Sequence, residues 1–485
     1  MNKLTKRTVV AGVLLATSAV SCSSPPGRSA ENEKKPSIIY IMADDLGWGD
    51  VGFNGQEKIR TPNIDRLAAE GIIFTRHYAG SPVCGPSRSV LLTGLHSGHA
   101  PIRENPAWAA SGIPVDLKPQ DVTVAEELKR AGYVTGAVGK WALDETFTTG
   151  HPNDQGFDYF YGFRTHTEAH SYYPPYIWRN KEMVVLQGND PETKKGKYSH
   201  DLFAEEALQF IRQNKDTSFF LYLAFTIPHN EITVPEESKA PYLNLGWPER
   251  PMQAGHYKHD PEGNTTYAGM ISRMDRDVGR VLDLLRELAI DENTLVIFTS
   301  DHGPGFDRGF FNSNGPFRGG KLSLYEGGLR VPFAARWPGH IAAGTLTDHP
   351  VAFWDFLPTA CDIAGISPSI TTDGISYLPI LTDREPTPHT YFYWEVNENA
   401  GPGQAIVKGD WKGIQMYEKP FQLYNLSQDV AEENNLADQY PDIVEEMLQL
   451  MKASRTEHPE FPLTKRSADY SYTAAKIEEL RKMLN

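Results

Sequence analysis

The chain has 485 residues, 40% of them hydrophobic and 22% charged, with 47 Lys and Arg against 62 Asp and Glu and a net charge of −15. That composition belongs to a folded globular protein with two or three domains or one large α/β core, and it excludes a disordered chain, a collagen-like repeat and a small disulfide-stapled module. An acidic balance without a long Lys/Arg run leaves no electrostatic footprint for nucleic acid.

Lys3, Lys6 and Arg7 precede an uncharged stretch from Val9 to Val20. It has the length of a signal-peptide core and falls short of the roughly 20 residues a spanning helix needs. Residues 1–21 are therefore expected to be a signal peptide. They run into Ala19-Val20-Ser21-Cys22, which resembles a bacterial lipoprotein cleavage site with Ala19 where Leu is usual; a plain secreted protein cut elsewhere is the alternative. Residues 22–35, rich in Ser, Pro and charge, read as a flexible tether. The expectation is an exported protein, periplasmic or at the cell surface, attached to membrane only through a lipid on Cys22. Exported chains usually pair their cysteines, yet only Cys22, Cys84 and Cys361 exist, so a disulfide framework is absent.

Ser37 to Met42 reads as a buried strand running into Asp44-Asp45, and Asn63 to Gly71 as a short helix closed by glycine. Pro86 suits the first turn of a helix, which sets Cys84 near that helix's positive end with Arg88 one turn along. Such a site lowers a thiol pKa and draws anions; a buried Cys beside a helix start is the plainer alternative. Thr123-Val124-Ala125-Glu126 is a capping-box pattern opening a helix that stops at Gly132, and Tyr133 to Val138 is a strand leading to Gly139-Lys140. Ser218 to Phe225 is a strand ending near Pro228-His229. Apolar residues at three- and four-residue steps from Tyr267 to Ile290 mark a long amphipathic helix, and Thr294 to Thr299 is a strand ending at Asp301-His302. Phe356 to Ala364 reads as an apolar helix holding Cys361 as a buried, inert thiol. Beyond a Ser/Thr/Gly-rich stretch at 367–373, Thr390–Trp394 and Phe421–Tyr424 look like strands of a smaller sheet and Pro441–Ser454 like a helix.

The recurring order of strand, polar end and helix predicts an α/β sheet covered on both faces over residues 36–370, with a small α+β domain over 371–485. In such sheets ligands collect beyond the carboxyl ends of the strands. Asp44-Asp45, Lys140, His229 and Asp301-His302 all stand at such ends, so their convergence is expected.

Cys84-Gly85-Pro86-Ser87-Arg88 matches the C-x-P-S-R signature of the type I sulfatases. In that family's order it is joined by Asp44-Asp45, Gly139-Lys140-Trp141, Asp301-His302-Gly303, Arg318-Gly319-Gly320-Lys321, Tyr325-Glu326-Gly327-Gly328-Leu329-Arg330 and Leu423-Tyr424-Asn425-Leu426. The chain is thus similar to this family from residue 37 to about residue 440. The resemblance implies the alkaline-phosphatase-like fold, a large mostly parallel sheet flanked by helices plus a smaller C-terminal domain with an antiparallel sheet. It implies that a formylglycine-generating maturation enzyme converts Cys84 to formylglycine, and that Asp44, Asp45, Cys84 in its modified form, Asp301 and His302 hold one Ca²⁺. Carboxylates suit calcium, whereas His302 stands where many members have Asn and is a softer ligand.

By the same resemblance the hydrated aldehyde at position 84 attacks sulfur. The resulting hemiester then expels sulfate as its second hydroxyl loses a proton, which a plain Ser or Cys could not do. Arg88 would stabilise the ionised diol, Lys140 and Lys321 would bind sulfate oxygens, and His229 would protonate the leaving oxygen. Members commonly carry a His two residues after the Lys, where it contacts the formylglycine hydroxyl; this chain has Ala142. His170 is expected to fill that role, with His166 competing for it.

Phe157 to Trp178 holds nine aromatics in 22 residues, a density that means core packing for most of them or stacking faces for sugar rings. The expected substrate is a sulfated oligo- or polysaccharide containing galactose or N-acetylgalactosamine. A phosphoester or phosphonate hydrolase of the same superfamily and an inactive glycan-binding lipoprotein are the alternatives. Lys140 and Lys321 favour a singly charged sulfate with one metal over a two-metal phosphatase, which needs further Asp and His ligands.

Overall fold

The computed structural model describes residues 34–105, 109, 114–253, 258–306, 309–398 and 401–464. The expected signal peptide, Cys22 and nearly all of the tether lie outside the described residues. Among the described residues no helix is long and apolar enough to cross a membrane.

In chain order the strands are β1 (Ser37–Ala43), β2 (Ile72–Phe74), β3 (His77–Tyr78), β4 (Val134–Lys140), β5 (Tyr159–Phe163), β6 (Tyr176–Arg179), β7 (Glu182–Val185), β8 (Phe219–Ala224), β9 (Thr294–Ser300), β10 (Phe333–Arg336), β11 (Thr345–Thr347), β12 (Val351–Ala352), β13 (Phe392–Glu398), β14 (Gly401–Lys408), β15 (Trp411–Met416) and β16 (Gln422–Asn425). Ten of them form one sheet in the order β11-β2-β10-β9-β1-β8-β4-β5-β6-β7. Its centre, β9 to β5, is parallel; β10, β6 and β7 run antiparallel toward the edges. The central strands are apolar nearly throughout because both faces are covered. Ile38, Tyr40 and Met42 face a core that includes Val90, Leu91, Phe356 and Cys361. Ile39 and Ile41 face the opposite one with Tyr267, Met274 and Val278. The expected α/β architecture is the observed one.

Register decides where the site lies. Ala43 pairs with Ser300, Met42 with Ala224, and Gly139 with Ala224, so β9, β1, β8 and β4 end level and their next residues leave the sheet along one edge. Gly139 is required there. At φ +108° an added Cβ would lie 1.9 Å from the Ala224 carbonyl oxygen, so only glycine lets β4 close on β8 immediately before Lys140.

Most expected elements occur within a few residues of their predicted bounds, including the Thr123–Glu126 capping box at the head of helix Val124–Arg130. The long helix runs Gly263–Glu287, four residues earlier at its start than the apolar steps indicate and three earlier at its end. Glu249, distant in sequence, accepts the N–H groups of Asn264 and Thr265 at 3.0 and 3.2 Å and so caps the added turn. Ala289, at φ +53°, breaks the far end. The aromatic stretch holds β5 and β6 and mostly fills core: Phe157, Phe160, Tyr161, Phe163, Tyr172 and Tyr173 are buried, while Tyr159, Tyr176 and Trp178 stay half-buried.

Strands β13–β16 form the separate antiparallel sheet. Helix Pro441–Ala453 covers one side, with Met447 and Met451 against Tyr393, Ile406 and Leu423. On the other, Trp394 packs against Tyr78 and Trp354 at ring-centroid distances of 5.2 and 5.5 Å. Cys361 is buried in helix Phe356–Ile363, where burial pushes its thiol up to about 12, the inert thiol expected.

Candidate active site

Asp44 and Asp45 follow β1, Lys140 ends β4, and Asp301 and His302 follow β9; His229 lies on the loop after β8. Cys84 is the first residue of helix Cys84–Thr93, every residue of which is buried, with Pro86 in its first turn. Ser87 fastens this helix to the strand end, donating to the Asp301 carbonyl at 2.6 Å while accepting the Gly80 N–H at 3.1 Å. Arg88, one turn along, donates to the Lys140 carbonyl at 2.8 Å and to Asp301 Oδ2 at 3.0 Å. Asp45 sits at φ +65°, a conformation that side chains rarely adopt, held by its N–H on Asp301 Oδ1 at 3.0 Å.

Charges crowd this end of the sheet. Lys140 Nζ donates to Asp44 Oδ2 at 2.7 Å, and Lys321 Nζ donates to both oxygens of Asp45 at 2.8 and 2.9 Å. His302 Nε2 is 3.3 Å from Asp45 Oδ1 and 3.6 Å from Asp301 Oδ1, and His229 Nε2 is 3.8 Å from Asp45 Oδ2. Burial opposes charge on Asp44, but Lys140, His229 and Arg88 outweigh it and hold the carboxyl well below its usual range. Asp301 is pushed up to about 7 by burial and by Asp44. His302 is raised to about 9 because Asp301 and Asp45 overcome its burial. Burial lowers His229 to about 4. At Cys84 burial is overcome by Lys140, Lys321 and His166, which hold the thiol well below its usual value.

These residues can hold a divalent cation, with the carboxylates of Asp44, Asp45 and Asp301 as hard donors and Cys84 and His302 as softer ones. One donor atom from each of Asp44, Cys84, Asp301 and His302 lies within 4.8 Å of the others, and Asp44, Asp45, Cys84 and His229 form a second, overlapping group. Asp44 Oδ1 and His302 Nε2 are fully buried without a hydrogen-bond partner among the described residues. Leaving two such atoms unmet is costly unless another ligand completes them. Gly305 closes over the group, since a Cβ there would stand 2.2 Å from Asp45 Oδ2. A third cluster, His96, His99 and Asp373, has a different character. Asp373 already accepts the His96 N–H at 2.9 Å and meets His99 Nδ1 at 2.9 Å, and the two rings stack at 4.3 Å. That arrangement ties two loops together.

All ten residues expected at the site converge except that His170 does not meet Cys84. Its ring stacks on His229 at 5.0 Å and 13°. His166 Nε2 instead lies 3.5 Å from Cys84 Sγ, with its backbone N–H donated to Glu145. The Ala142 N–H donates to the Arg164 carbonyl at 3.1 Å, which lays the turn carrying His166 across the small residue at 142. Sequence spacing does not distinguish 166 from 170, because both sit on the turn following β5 and only this backbone pairing separates them. Glu145 was not expected at the site; burial raises its carboxyl to about 8.

A family model described as Sulfatase matches residues 36–366, and one described as N-sulphoglucosamine sulphohydrolase, C-terminal, matches residues 319–457. The N-acetylgalactosamine-6-sulfatase of Canis lupus familiaris is 34% identical over 388 residues, 74% of this chain and 68% of that one. The N-acetylgalactosamine-6-O-sulfatase of Bacteroides thetaiotaomicron is 30% identical over 518 aligned positions, 88% of this chain and 94% of that one. Among solved structures, Ps i-CgsB in complex with k-i-k-neocarrahexaose superposes with a TM-score of 0.76 at 29% identity, covering 93% of this chain and 97% of that one. A phosphonate monoester hydrolase of Agrobacterium radiobacter shares the fold, with a TM-score of 0.60 at 20% identity over 89% of this chain and 100% of that one.

Proposed function

The chain belongs to the sulfatase family of sulfuric ester hydrolases, and from that premise we propose that it releases inorganic sulfate from sulfated glycans, with 6-O-sulfated N-acetylgalactosamine or galactose units as substrate. The observation that carries the reading is the buried cluster of Cys84, Arg88, Lys140, Lys321, His229, Asp44, Asp45, Asp301 and His302 beyond four level strand ends. Its depth supports a projecting ester. Arg88, Lys140, Asp44 and Asp301 side chains are wholly buried and Lys321 alone keeps 19% exposure. An exocyclic 6-O-sulfate projects beyond its sugar ring and so reaches buried groups more readily than a sulfate on a ring hydroxyl. Relatives named as N-acetylgalactosamine-6-sulfatases point the same way.

In this reading a maturation enzyme converts Cys84 to formylglycine, whose hydrate is the nucleophile for sulfur. Asp44, Asp45, Asp301, His302 and position 84 would hold one Ca²⁺, which when bound would favour ionisation of the attacking hydroxyl and neutralise sulfate charge. Arg88 steadies the ionised hydroxyl. Lys140 and Lys321 turn from Asp44 and Asp45 toward the sulfate oxygens. His229, neutral in the free site, takes up a proton as the sulfate charge arrives and delivers it to the departing sugar oxygen. His166, from its contact with position 84, removes the hydroxyl proton as sulfate leaves; this is the role for which His170 was expected. Export, with a lipid on Cys22, remains part of the same proposal.

The test uses mature, Ca²⁺-loaded protein on N-acetylgalactosamine-6-sulfate oligosaccharides and on matched phosphate esters, with mass spectrometry of the peptide containing Cys84. Sulfate release from a protein carrying formylglycine is expected. Faster phosphate release would replace the reading with a phosphoester hydrolase, and glycan binding without release would replace it with a binding lipoprotein.

A further inference from the structure

We propose that the C-terminal sheet is a working part of the sulfate site, with Arg318, Lys412 and Glu432 as positioning residues that hold the loop presenting Lys321. The inference rests on the reading of Lys321 as a sulfate ligand.

Lys321 is carried on the stretch between Arg318 and Tyr325, whose backbone is irregular around the lysine, with one internal turn from the Ser323 N–H to the Gly320 carbonyl at 3.0 Å. Gly319, Gly320 and Leu322 all have positive φ, at +89°, +154° and +70°. Within the N-terminal region the stretch is tethered near the lysine by its N–H on the Pro304 carbonyl at 3.2 Å, by the Leu322 N–H on the Pro82 carbonyl at 3.0 Å and by the Asn314 side-chain amide, which donates to the Gly319 carbonyl.

Both ends of the stretch are fastened to the C-terminal region. At the first, Arg318 Nη1 donates to the Glu432 carbonyl at 2.7 Å and reaches the Tyr424 hydroxyl at 3.4 Å, with its guanidinium 4.0 Å from the centre of the Tyr325 ring. At the second, the Tyr325 hydroxyl donates to Gln422 Oε1 at 2.6 Å and the Glu326 N–H donates to Glu432 Oε2 at 2.7 Å. Lys412 joins the pieces: its Nζ lies 2.9 Å from Glu326 Oε1 and 3.1 Å from Glu432 Oε1, all three side chains fully buried. The Gly327 N–H returns to the Arg318 carbonyl at 2.7 Å and draws the two ends together. One acidic residue, Glu432, therefore meets both ends of the loop, by its carbonyl and by its side chain. The consequence reaches the site through Lys321, whose Nζ sits on Asp45.

A contact that merely docked two regions would affect folding without regard to Lys321. A positioning contact, whatever it adds to stability, changes sulfate affinity only through it. The measurement is calorimetric binding of inorganic sulfate to the mature, Ca²⁺-loaded full chain, for the parent, Arg318→Gln, Lys321→Ala and the double variant, with Arg318→Lys as the conservative control. Lys321→Ala is expected to weaken sulfate about tenfold and Arg318→Gln about fivefold, the double variant no more than Lys321→Ala alone, and Arg318→Lys to restore most of the loss. Sulfate affinity within twofold of the parent in Arg318→Gln, or losses that multiply in the double variant, would overturn the proposal. If Lys321→Ala binds sulfate as the parent does, the reading of Lys321 as a ligand fails first and the proposal with it. Should Arg318→Gln not fold, Tyr325→Phe, which gives up the hydrogen bond to Gln422 at the other end of the loop, carries the same cycle with an expected loss of about fivefold, and affinity within twofold of the parent overturns the proposal there too.

Discussion

Two buried charge clusters lie within this protein, and they are built on opposite rules. At the strand ends, Asp44, Asp45 and Asp301 are drawn together with His302, yet Asp44 Oδ1 and His302 Nε2 are left without hydrogen bonds. At the C-terminal sheet, Glu326 is met on both oxygens, by Lys412 at 2.9 Å on one and by Arg330 at 2.5 Å and the Tyr78 hydroxyl at 3.1 Å on the other. The first cluster leaves open two atoms that can serve as metal ligands; the second is closed around Glu326, and although Glu432 Oε1 makes no well-aligned hydrogen bond it still has Lys412 Nζ at 3.1 Å. An incomplete cluster lowers the stability of the free protein in exchange for affinity, whereas a closed one fixes geometry. Substitutions should therefore separate the two: activity lost without stability in one, stability lost in the other.

The largest effect expected is on position 84. Cys84→Ala should reduce sulfate release by at least about 10⁴-fold, since it removes the nucleophile, without lowering the thermal midpoint measured by calorimetry. A folded variant as fast as the parent would end the assignment of the site. Next, Asp301→Asn should weaken Ca²⁺ by at least about 100-fold, by titration calorimetry of the chelator-stripped protein. Because Asp301 is crowded by Asp44 as well as buried, the metal-free variant should be as stable as the parent or more so. A large loss of metal-free stability would mean that this cluster, too, is closed.

The closed cluster should behave oppositely. Lys412→Met leaves Glu326 and Glu432 facing each other without their shared cation, and removing one partner of a buried pair typically costs about 3–5 kcal/mol. Urea unfolding of the metal-free protein should show a loss of that order. A smaller change, on turnover alone, belongs to the loop histidine. His166→Ala should lower sulfate release about 100-fold at unchanged stability, whereas equal activity in the variant would return the proton-transfer role to His170.

The contrast also explains what could be read from the sequence. An apolar run such as Ser37–Met42 that ends in Asp44-Asp45, or Thr294–Thr299 that ends in Asp301-His302, announces a buried strand with charge at its carboxyl end. Parallel pairing then makes such ends meet whatever their separation in the chain. The closed cluster carries no such mark: nothing local to Lys412 or Glu432 says that they meet Glu326, about 90 to 110 residues earlier. His166 and His170 were indistinguishable for the same reason, as was the added turn of the long helix, capped by Glu249 from another loop. Residues placed by their own strand are legible, and residues placed by a partner's side chain are not.

The two acids of the closed cluster divide the pH axis, which gives the comparison its smallest and most specific consequence. Burial would raise Glu326, but Arg330 and Lys412 prevail and lower it to about 2, from an ordinary 4.5. Glu432, which has Lys412 but faces the Glu326 charge, is pushed by burial up to about 7. Between pH 4.5 and about 2 the unfolded chain takes up a proton that folded Glu326 refuses, so stability falls on acidification. Between 4.5 and about 7 folded Glu432 keeps a proton that the unfolded chain has lost, so stability falls as pH rises. Each slope is at most about 1.4 kcal/mol per pH unit. Glu326→Gln should reduce the acid slope and Glu432→Gln the slope toward neutrality, each by up to about 1.4 kcal/mol per pH unit, in urea midpoints measured from pH 3 to 8 on metal-free protein; the slope that remains belongs to other buried acids such as Asp44 and Asp301. Neutralising Glu432 also relieves the contest for Lys412, so that variant should gain stability at pH 7; a loss there would mean that Glu432 is ionised and fully paired at neutral pH.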